Sequence, residues 1–114
     1  MANVIDFRNM RPPTLPLVMN DEAGTAIDVT PPTVDLVEEL KTNLPHLQEL
    51  LTGEDPEIRT GLYDLAARLI SCNRNLRRVT GEQLRMVYRL SEEDLVVFFS
   101  AYTDFISGIE HAKN

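Results

Sequence analysis

The C-terminal part of the chain carries the pattern that most constrains its fold, a long amphipathic helix with aromatic side chains on one face. Its apolar residues recur at i, i+3, i+4, i+7 and onward, which is the spacing of one helix face. They are Leu95, Phe98, Phe99, Tyr102, Phe105, Ile106 and Ile109. Ser91 is a natural N-cap, and the acids that follow it suit the positive end of a helix dipole. So much aromatic surface must be buried, either in the chain's own core or against a partner.

Length and charge narrow the class of protein. The 114 residues fit one domain. A net charge of −7 argues against binding to nucleic acid or to an anionic membrane, because both need a basic surface. A single cysteine, Cys72, excludes an internal disulfide framework and suits a reducing cytosol. No segment approaches the ~20 apolar residues of a membrane span, and the N-terminus lacks an apolar signal region, so we expect neither secretion nor membrane insertion.

Two N-terminal segments are expected to differ in order. Residues 1–13 read as a poorly ordered arm that is either a loose tail or a docking peptide, with a small apolar patch at Val4, Ile5 and Phe7. Residues 14–30 predict a β-hairpin, because apolar and polar residues alternate around a turn rich in Asn, Asp and Gly. A lone hairpin is marginal in water, so this one must lie on helices or pair with another chain.

Four further apolar stripes predict the remaining helices. The first helix starts after a Thr-Pro-Pro-Thr break, a second is short, and a third is central. A fourth follows a capping-box pattern at Thr80 and Gln83. The inward-facing residues expected from these stripes are Val34, Val37, Leu40 and Leu44, then Leu47, Leu50 and Leu51, then Ile58, Leu62, Leu65, Ala66, Leu69 and Ile70, then Leu84, Val87 and Tyr88.

These elements predict a mainly α fold, a compact bundle of four to five helices with an N-terminal β-hairpin. The predicted organisation is a flexible arm at 1–13, one domain over 14–110 and a frayed C-terminus at 111–114.

No residue pattern predicts catalysis. His46 and His111 belong to no metal-ligand motif, and Cys72 has no base beside it, so we interpret it as a buried structural thiol. The glycines are scattered singly and form no phosphate-binding loop. We therefore expect no enzyme activity, metal, cofactor or small-molecule substrate.

One charged feature has two interpretations. Five arginines fall in a stretch whose only acid is Glu82, namely Arg74, Arg77, Arg78, Arg85 and Arg89. They are either a solvated surface that offsets nearby acids or a docking patch for an acidic partner, such as the acidic face of a neighbouring copy. Self-association through the edges of the hairpin is a further option.

The charge of residues 80–106 argues against a DNA-binding helix-turn-helix motif there. A recognition helix presents Arg, Lys, Asn or Gln to the groove of DNA. Residues 91–110 contain no Lys or Arg and several acids, so they would repel phosphate.

Three pieces of the chain carry a resemblance to a known family. They are residues 27–34 (IDVTPPTV) with 36–40 (LVEEL), residues 69–75 (LISCNRN) with 79–84 (VTGEQL), and residues 90–99 (LSEEDLVVFF) with 101–106 (AYTDFI). In these pieces, over roughly residues 25–109, the chain resembles the tail assembly chaperones of long-tailed bacteriophages and prophages. Each piece is a packing and capping pattern rather than a catalytic signature.

The resemblance implies a non-enzymatic function in the host cytoplasm. Such chaperones coat the tape measure protein, keep its hydrophobic helical segments soluble, help the major tail protein polymerise around it, and are absent from the virion. Many are made in two lengths by a ribosomal frameshift, and this chain would be the short form. Its last residues, Ala112, Lys113 and Asn114, are compatible with a slippery heptamer A AAA AAC.

Two other functions compete with the chaperone. One is a different phage or prophage structural protein, such as a connector or tail-completion protein, which would remain in purified particles. The other is a generic bacterial adaptor domain with an α-helical peptide as its ligand.

Overall fold

A computed structural model describes the backbone of residues 13–52 and 55–112 and the side chains in those ranges up to Ile109. The predicted arm lies outside the described residues except for Pro13. Of the predicted frayed end, Lys113 and Asn114 also lie outside them, and the last helix continues through Ala112.

The described chain is mainly helical with one small sheet, which confirms the predicted fold class. The elements in chain order are β1 (Leu15–Val18), β2 (Ala26–Val29), α1 (Val34–Asn43), a 3-10 turn (Leu44–His46), α2 (Leu47–Thr52), α3 (Pro56–Ile70), α4 (Gly81–Met86) and α5 (Glu92–Ala112). The two strands are antiparallel, with Leu17 opposite Ile27.

The turn between the strands is held by a carboxylate. Asp21 accepts the backbone N–H of Thr25 at 2.8 Å and the hydroxyl of the same residue. These two hydrogen bonds from Thr25 stabilise the charged form and lower the pKa of Asp21 below its usual value. Gly24 completes the turn at φ +59°, a conformation that glycine adopts without strain.

The hairpin lies on the helices by its apolar face. Leu15, Leu17 and Met19 alternate with exposed residues along the first strand, and Ile27 and Val29 are fully buried on the second. This alternation is the period of two that places every other side chain against the core. Of the two fates expected for the hairpin, packing on helices is the one the structure shows.

Helices α3 and α5 supply most of the core. The predicted stripe of α3 is buried from Leu62 to Ile70, and Tyr63 and Ala67 are buried with it. On α5, Leu95, Phe99 and Tyr102 are fully buried, so of the two options for the aromatic stripe the chain's own core takes most of it. The aromatic rings of this stripe contact one another, with centroids 5.4 to 6.0 Å apart.

Three predicted inward residues are wrong, and all lie at or beside helix ends. Val34, the first residue of α1, is 77% exposed, Leu51, the last but one of α2, is 57% exposed, and Val87, which follows α4, is 54% exposed. Each continues the helical spacing of a stripe past the point where neighbouring elements cover it. Leu36, which the predicted stripe omitted, is partly buried against the core instead.

Helix starts follow the predicted capping chemistry. Thr80 and Gln83 form a complete capping box, each side chain bonding the other's backbone N–H. Helix α4 then packs closely on α3 at Gly81, where a β-carbon would lie 3.1 Å from backbone atoms of Tyr63 and Asp64. A side chain at this position would force the two helices apart.

Candidate functional site

An apolar groove runs between β1 and α5, with a volume of about 200 Å³. The residues that line it are Leu17, Val18, Met19, Asn20, Ile70, Leu90, Asp94, Val97, Phe98 and Ala101. Val18 and Val97 stand at its rim, 73% and 68% exposed. This volume is large enough to admit an aliphatic side chain.

The end of the groove is fixed by the start of α5. Asp94 accepts the backbone N–H of Ser91 at 2.8 Å, and the Ser91 hydroxyl accepts the backbone N–H of Asp94 at 3.2 Å, so Ser91 is the N-cap the sequence predicted. The same Asp94 carboxylate accepts the side-chain amide of Asn20 at 3.0 Å. This bond joins residues 74 positions apart and holds the end of β1 beside the first turn of α5.

The two edges of the hairpin differ. The outer edge of β2 is covered by the chain after α3, because Thr30 donates to the carbonyl of Cys72 at 2.8 Å and Arg74 donates to that of Asp28 at 2.9 Å. Val29 and Asn73 form a bridge at the same place. Pairing of this edge with another copy, one option raised by the sequence, is therefore blocked.

The outer edge of β1 borders the groove and is only partly closed. Met19 donates to the carbonyl of Thr25, so the alternation of an antiparallel pair directs the N–H and C=O of Val18 away from β2. Asn20, the next residue with this orientation, donates to the carbonyl of Tyr88. Pro16, the preceding one, has no N–H to donate. An added strand would thus find few partners, and the groove offers side-chain contacts rather than a ladder.

The five predicted arginines are all exposed and divide between two structural elements. Arg74, Arg77 and Arg78 lie in the turn at residues 73–78, here called the Leu76 turn. Arg85 belongs to α4, and Arg89 follows it at φ +59°. The guanidinium of Arg77 reaches the hydroxyl of Tyr88 at 3.4 Å and connects the two groups.

The Leu76 turn carries an apolar residue that belongs to none of the predicted apolar stripes. Leu76 is 93% exposed and has φ +56°, a conformation that a bulky residue rarely adopts. Nothing in the local sequence predicts this conformation, because the backbone dihedral angles at a single position are not readable from composition.

A larger cleft of about 470 Å³ lies between α3 and α4. Arg59 and Arg85 line it together with Asp64 and Glu82, so its charges are mixed. Tyr63 in its wall donates its hydroxyl to the carbonyl of Leu90 at 2.7 Å, and burial raises the pKa of this phenol. Since the phenol already has a structural partner and the charges offset one another, the cleft shows no arrangement suited to proton transfer or nucleophilic attack.

The remaining reactive side chains are apart from one another. His46 lies beside Glu49, with 3.4 Å between Nδ1 and Oε1, on the surface of α2 and the preceding turn. Cys72 is a free thiol and is half-buried rather than fully buried as predicted. Among the described residues, no three of His, Cys, Asp and Glu come close enough together to hold a metal ion. None of the described helices combines the length and the apolar character needed to cross a membrane.

Comparison of the chain with protein-family models, with curated proteins and with solved structures found no match.

Proposed function

We propose that the protein is a non-enzymatic tail assembly chaperone of a long-tailed phage or prophage, acting in the host cytoplasm on the tape measure protein. The observation that supports it best is the groove between β1 and α5, which presents aliphatic side chains at a rim of Val18 and Val97. A chaperone for amphipathic segments needs such a surface to cover their apolar faces.

The groove favours a helical client over an extended one. A strand added to β1 would meet Pro16, which cannot donate, and would gain few main-chain hydrogen bonds. A helix bonds its own backbone and needs only side-chain contacts. An apolar residue of the client helix would enter the groove, and residues one turn away would contact Val18 and Val97.

The charge of the chain suits the same role. A net charge of −7 keeps copies soluble while they are crowded along a long client. We propose a binding role without catalysis. The major tail protein is a second proposed partner, which rests on the sequence resemblance.

Co-expression with a tape measure protein tests the proposal. We expect the tape measure protein, insoluble on its own, to stay soluble and to co-purify with the wild-type chain. Val97→Lys should abolish this, because it puts a charge at the apolar rim. Val34→Lys is the matched control: it changes a similarly exposed valine on α1, outside the groove, by the same charge.

Two outcomes would count against the proposal. If Val97→Lys and Val34→Lys retain the client equally, the groove is not the binding site. If mass spectrometry finds the protein in purified phage particles at structural stoichiometry, it is a connector or tail-completion protein instead. A slippery heptamer at codons 112–114 with an overlapping −1 reading frame would support the chaperone.

A further inference from the structure

The Leu76 turn presents an apolar side chain at the surface in a fixed position. Asn73 holds the turn through both ends of its amide, accepting the N–H of Arg77 at 3.0 Å and donating to its carbonyl at 2.6 Å. Asn75 anchors it to β2 by accepting the N–H of Asp28 at 2.8 Å. A turn held at this many points keeps Leu76 in an unfavourable conformation without the core gaining from it.

A fixed apolar residue surrounded by arginines is suited to contact another protein. Preorganisation lowers the entropy lost on binding, and arginine beside an exposed leucine provides charge at the edge of an apolar contact. Arg77 and Arg78 follow Leu76 directly, and Arg74 lies two residues before it. The partner surface must then combine an apolar recess with acidic surroundings.

The groove of the same chain has these properties. Its lining is mainly aliphatic and includes Asp94 but no Lys or Arg. The chain segments on either side of it, residues 17–22 and 94–104, contain no Lys or Arg. Asp21 and Glu22 follow Asn20 in the turn of the hairpin, and Asp104 lies one turn beyond Ala101 on α5. Charge and shape of the groove are therefore complementary to those of the Leu76 turn.

We propose that the Leu76 turn of one copy docks into the groove of a second copy, with Leu76 between Val18 and Val97. The turn lies beyond the outer edge of β2, and the groove lies beyond the outer edge of β1. Because the two surfaces occupy opposite edges of the hairpin, the contact is heterologous and joins copies head to tail. It goes beyond the proposed chaperone function and concerns the isolated chain, although a client helix would compete for the groove.

Sedimentation velocity on the purified full-length chain tests the contact. A surface this small gives a weak interaction, so we expect monomers in dilute solution and larger species from about 100 μM upward. High salt should shift the association to higher concentration, because the arginines and acids lie at the surface and are screened. A monomer at every concentration up to about 1 mM would overturn the proposal.

Two surface variants separate the two halves of the contact. Leu76→Asp places an acid in the acidic groove of the neighbouring copy. The substitution should not disturb the turn, because aspartate tolerates positive φ better than leucine does. Val97→Lys places a base in the groove opposite the arginines. Each should weaken self-association at least about tenfold, given the burial of one aliphatic side chain and the charge that replaces it. Both sites are exposed, so circular dichroism should show wild-type folding.

Mixing the two variants gives the decisive result. The Val97→Lys copy keeps an intact Leu76 turn, and the Leu76→Asp copy keeps an intact groove. A head-to-tail contact predicts that the mixture forms a 1:1 dimer that grows no further. A dimer that pairs the same surface of both copies, turn with turn or groove with groove, would not be restored in this way. A mixture that stays monomeric, or wild-type association of either single variant, would overturn the proposal.

Val34 provides the matched controls. Val34→Asp and Val34→Lys make the same charge changes at an exposed valine outside both surfaces and should associate like the wild type. If they weaken association equally, net charge rather than the docking contact is responsible, and the proposal fails. Because none of these measurements uses the tape measure protein, a failure here leaves the chaperone test unaffected, and the reverse also holds.

Discussion

The two faces of α5 differ in burial. Leu95, Phe99 and Tyr102 on one face are fully buried, whereas Val97 on another face is 68% exposed beside the groove. The aromatic stripe that dominates the sequence of this helix thus holds the domain together, and a narrow aliphatic strip stays exposed beside the groove. The most conspicuous apolar pattern of α5 is therefore used for folding, and the surface that both proposals use is built from less conspicuous residues.

The largest expected effect is on the buried face. Phe99→Ala removes a fully buried ring and leaves a cavity, so we expect a loss of about 3–5 kcal/mol in the free energy of unfolding. For a domain of this size such a loss is a large fraction of the total stability. Urea unfolding followed by circular dichroism measures it, with exposed Ser100→Ala on the same helix as the control. A folded Phe99→Ala protein that only loses partner binding would reverse the assignment of the two faces.

A smaller effect is expected inside the buried face, at a hydroxyl. The Tyr102 oxygen is buried and finds no hydrogen-bond partner among the described residues. An unpaired buried hydroxyl costs about 1–3 kcal/mol, so Tyr102→Phe should raise the free energy of unfolding by about 1 kcal/mol. Tyr63→Phe is the contrasting control, because its hydroxyl donates to the carbonyl of Leu90 and its removal should destabilise. Equal destabilisation by both variants would mean that the Tyr102 hydroxyl has a partner.

The same residue sets an expected pH dependence. Burial raises the pKa of Tyr102 well above its ordinary value of 10.0, so the phenol stays neutral in the folded chain. Below pH 10 the Tyr102 phenol is neutral in both the folded and the unfolded chain, so its titration takes nothing from stability. Above pH 10 the unfolded chain loses the phenol proton first, and the free energy of unfolding falls until the pH passes the folded-state pKa. The free energy of unfolding of the wild type should therefore fall above pH 10. Between neutral pH and pH 11, urea unfolding should show a smaller decrease for Tyr102→Phe than for the wild type.

The sequence predicts the core of this molecule better than it predicts the groove. The spacing of Leu62, Phe99 and their neighbours predicts the buried helix faces, because helix period and burial are local properties of the chain. The capping box at Thr80 follows from residue type alone. At Val34 and Val87 the pattern misleads, since spacing does not show where a covering neighbour ends.

The candidate site could be predicted only in part. The groove forms because Asn20 and Asp94, 74 positions apart, bring β1 beside α5, and no local pattern encodes that approach. The arginines were visible as a charged stretch, but the positive φ of Leu76 depends on hydrogen bonds that Asn73 and Asn75 make in the folded chain. Contacts distant in sequence thus create the surfaces on which both proposals rest.

A modest gain in the free energy of unfolding is expected from a substitution in the Leu76 turn. The left-handed conformation costs a residue with a β-carbon roughly 1–2 kcal/mol, and asparagine tolerates it better. Because Leu76 is 93% exposed, Leu76→Asn loses no burial and should raise stability by about 0.5–1 kcal/mol. Leu51→Asn, at an exposed leucine inside α2, should instead lower stability slightly through helix propensity. A destabilised Leu76→Asn protein would show that the leucine contributes to folding.

The smallest expected effect on stability lies on the exposed face of α5. Val97→Ala removes little buried surface, and alanine is the better helix former, so the two terms offset and stability should change by less than about 0.5 kcal/mol. Its effect on self-association should be larger, because the rim of the groove loses one of its two valine side chains. Parallel measurements of urea unfolding and of concentration-dependent sedimentation separate the two quantities. A clear loss of stability with unchanged association would place Val97 with Phe99 in the core and remove the distinction between the faces of this helix.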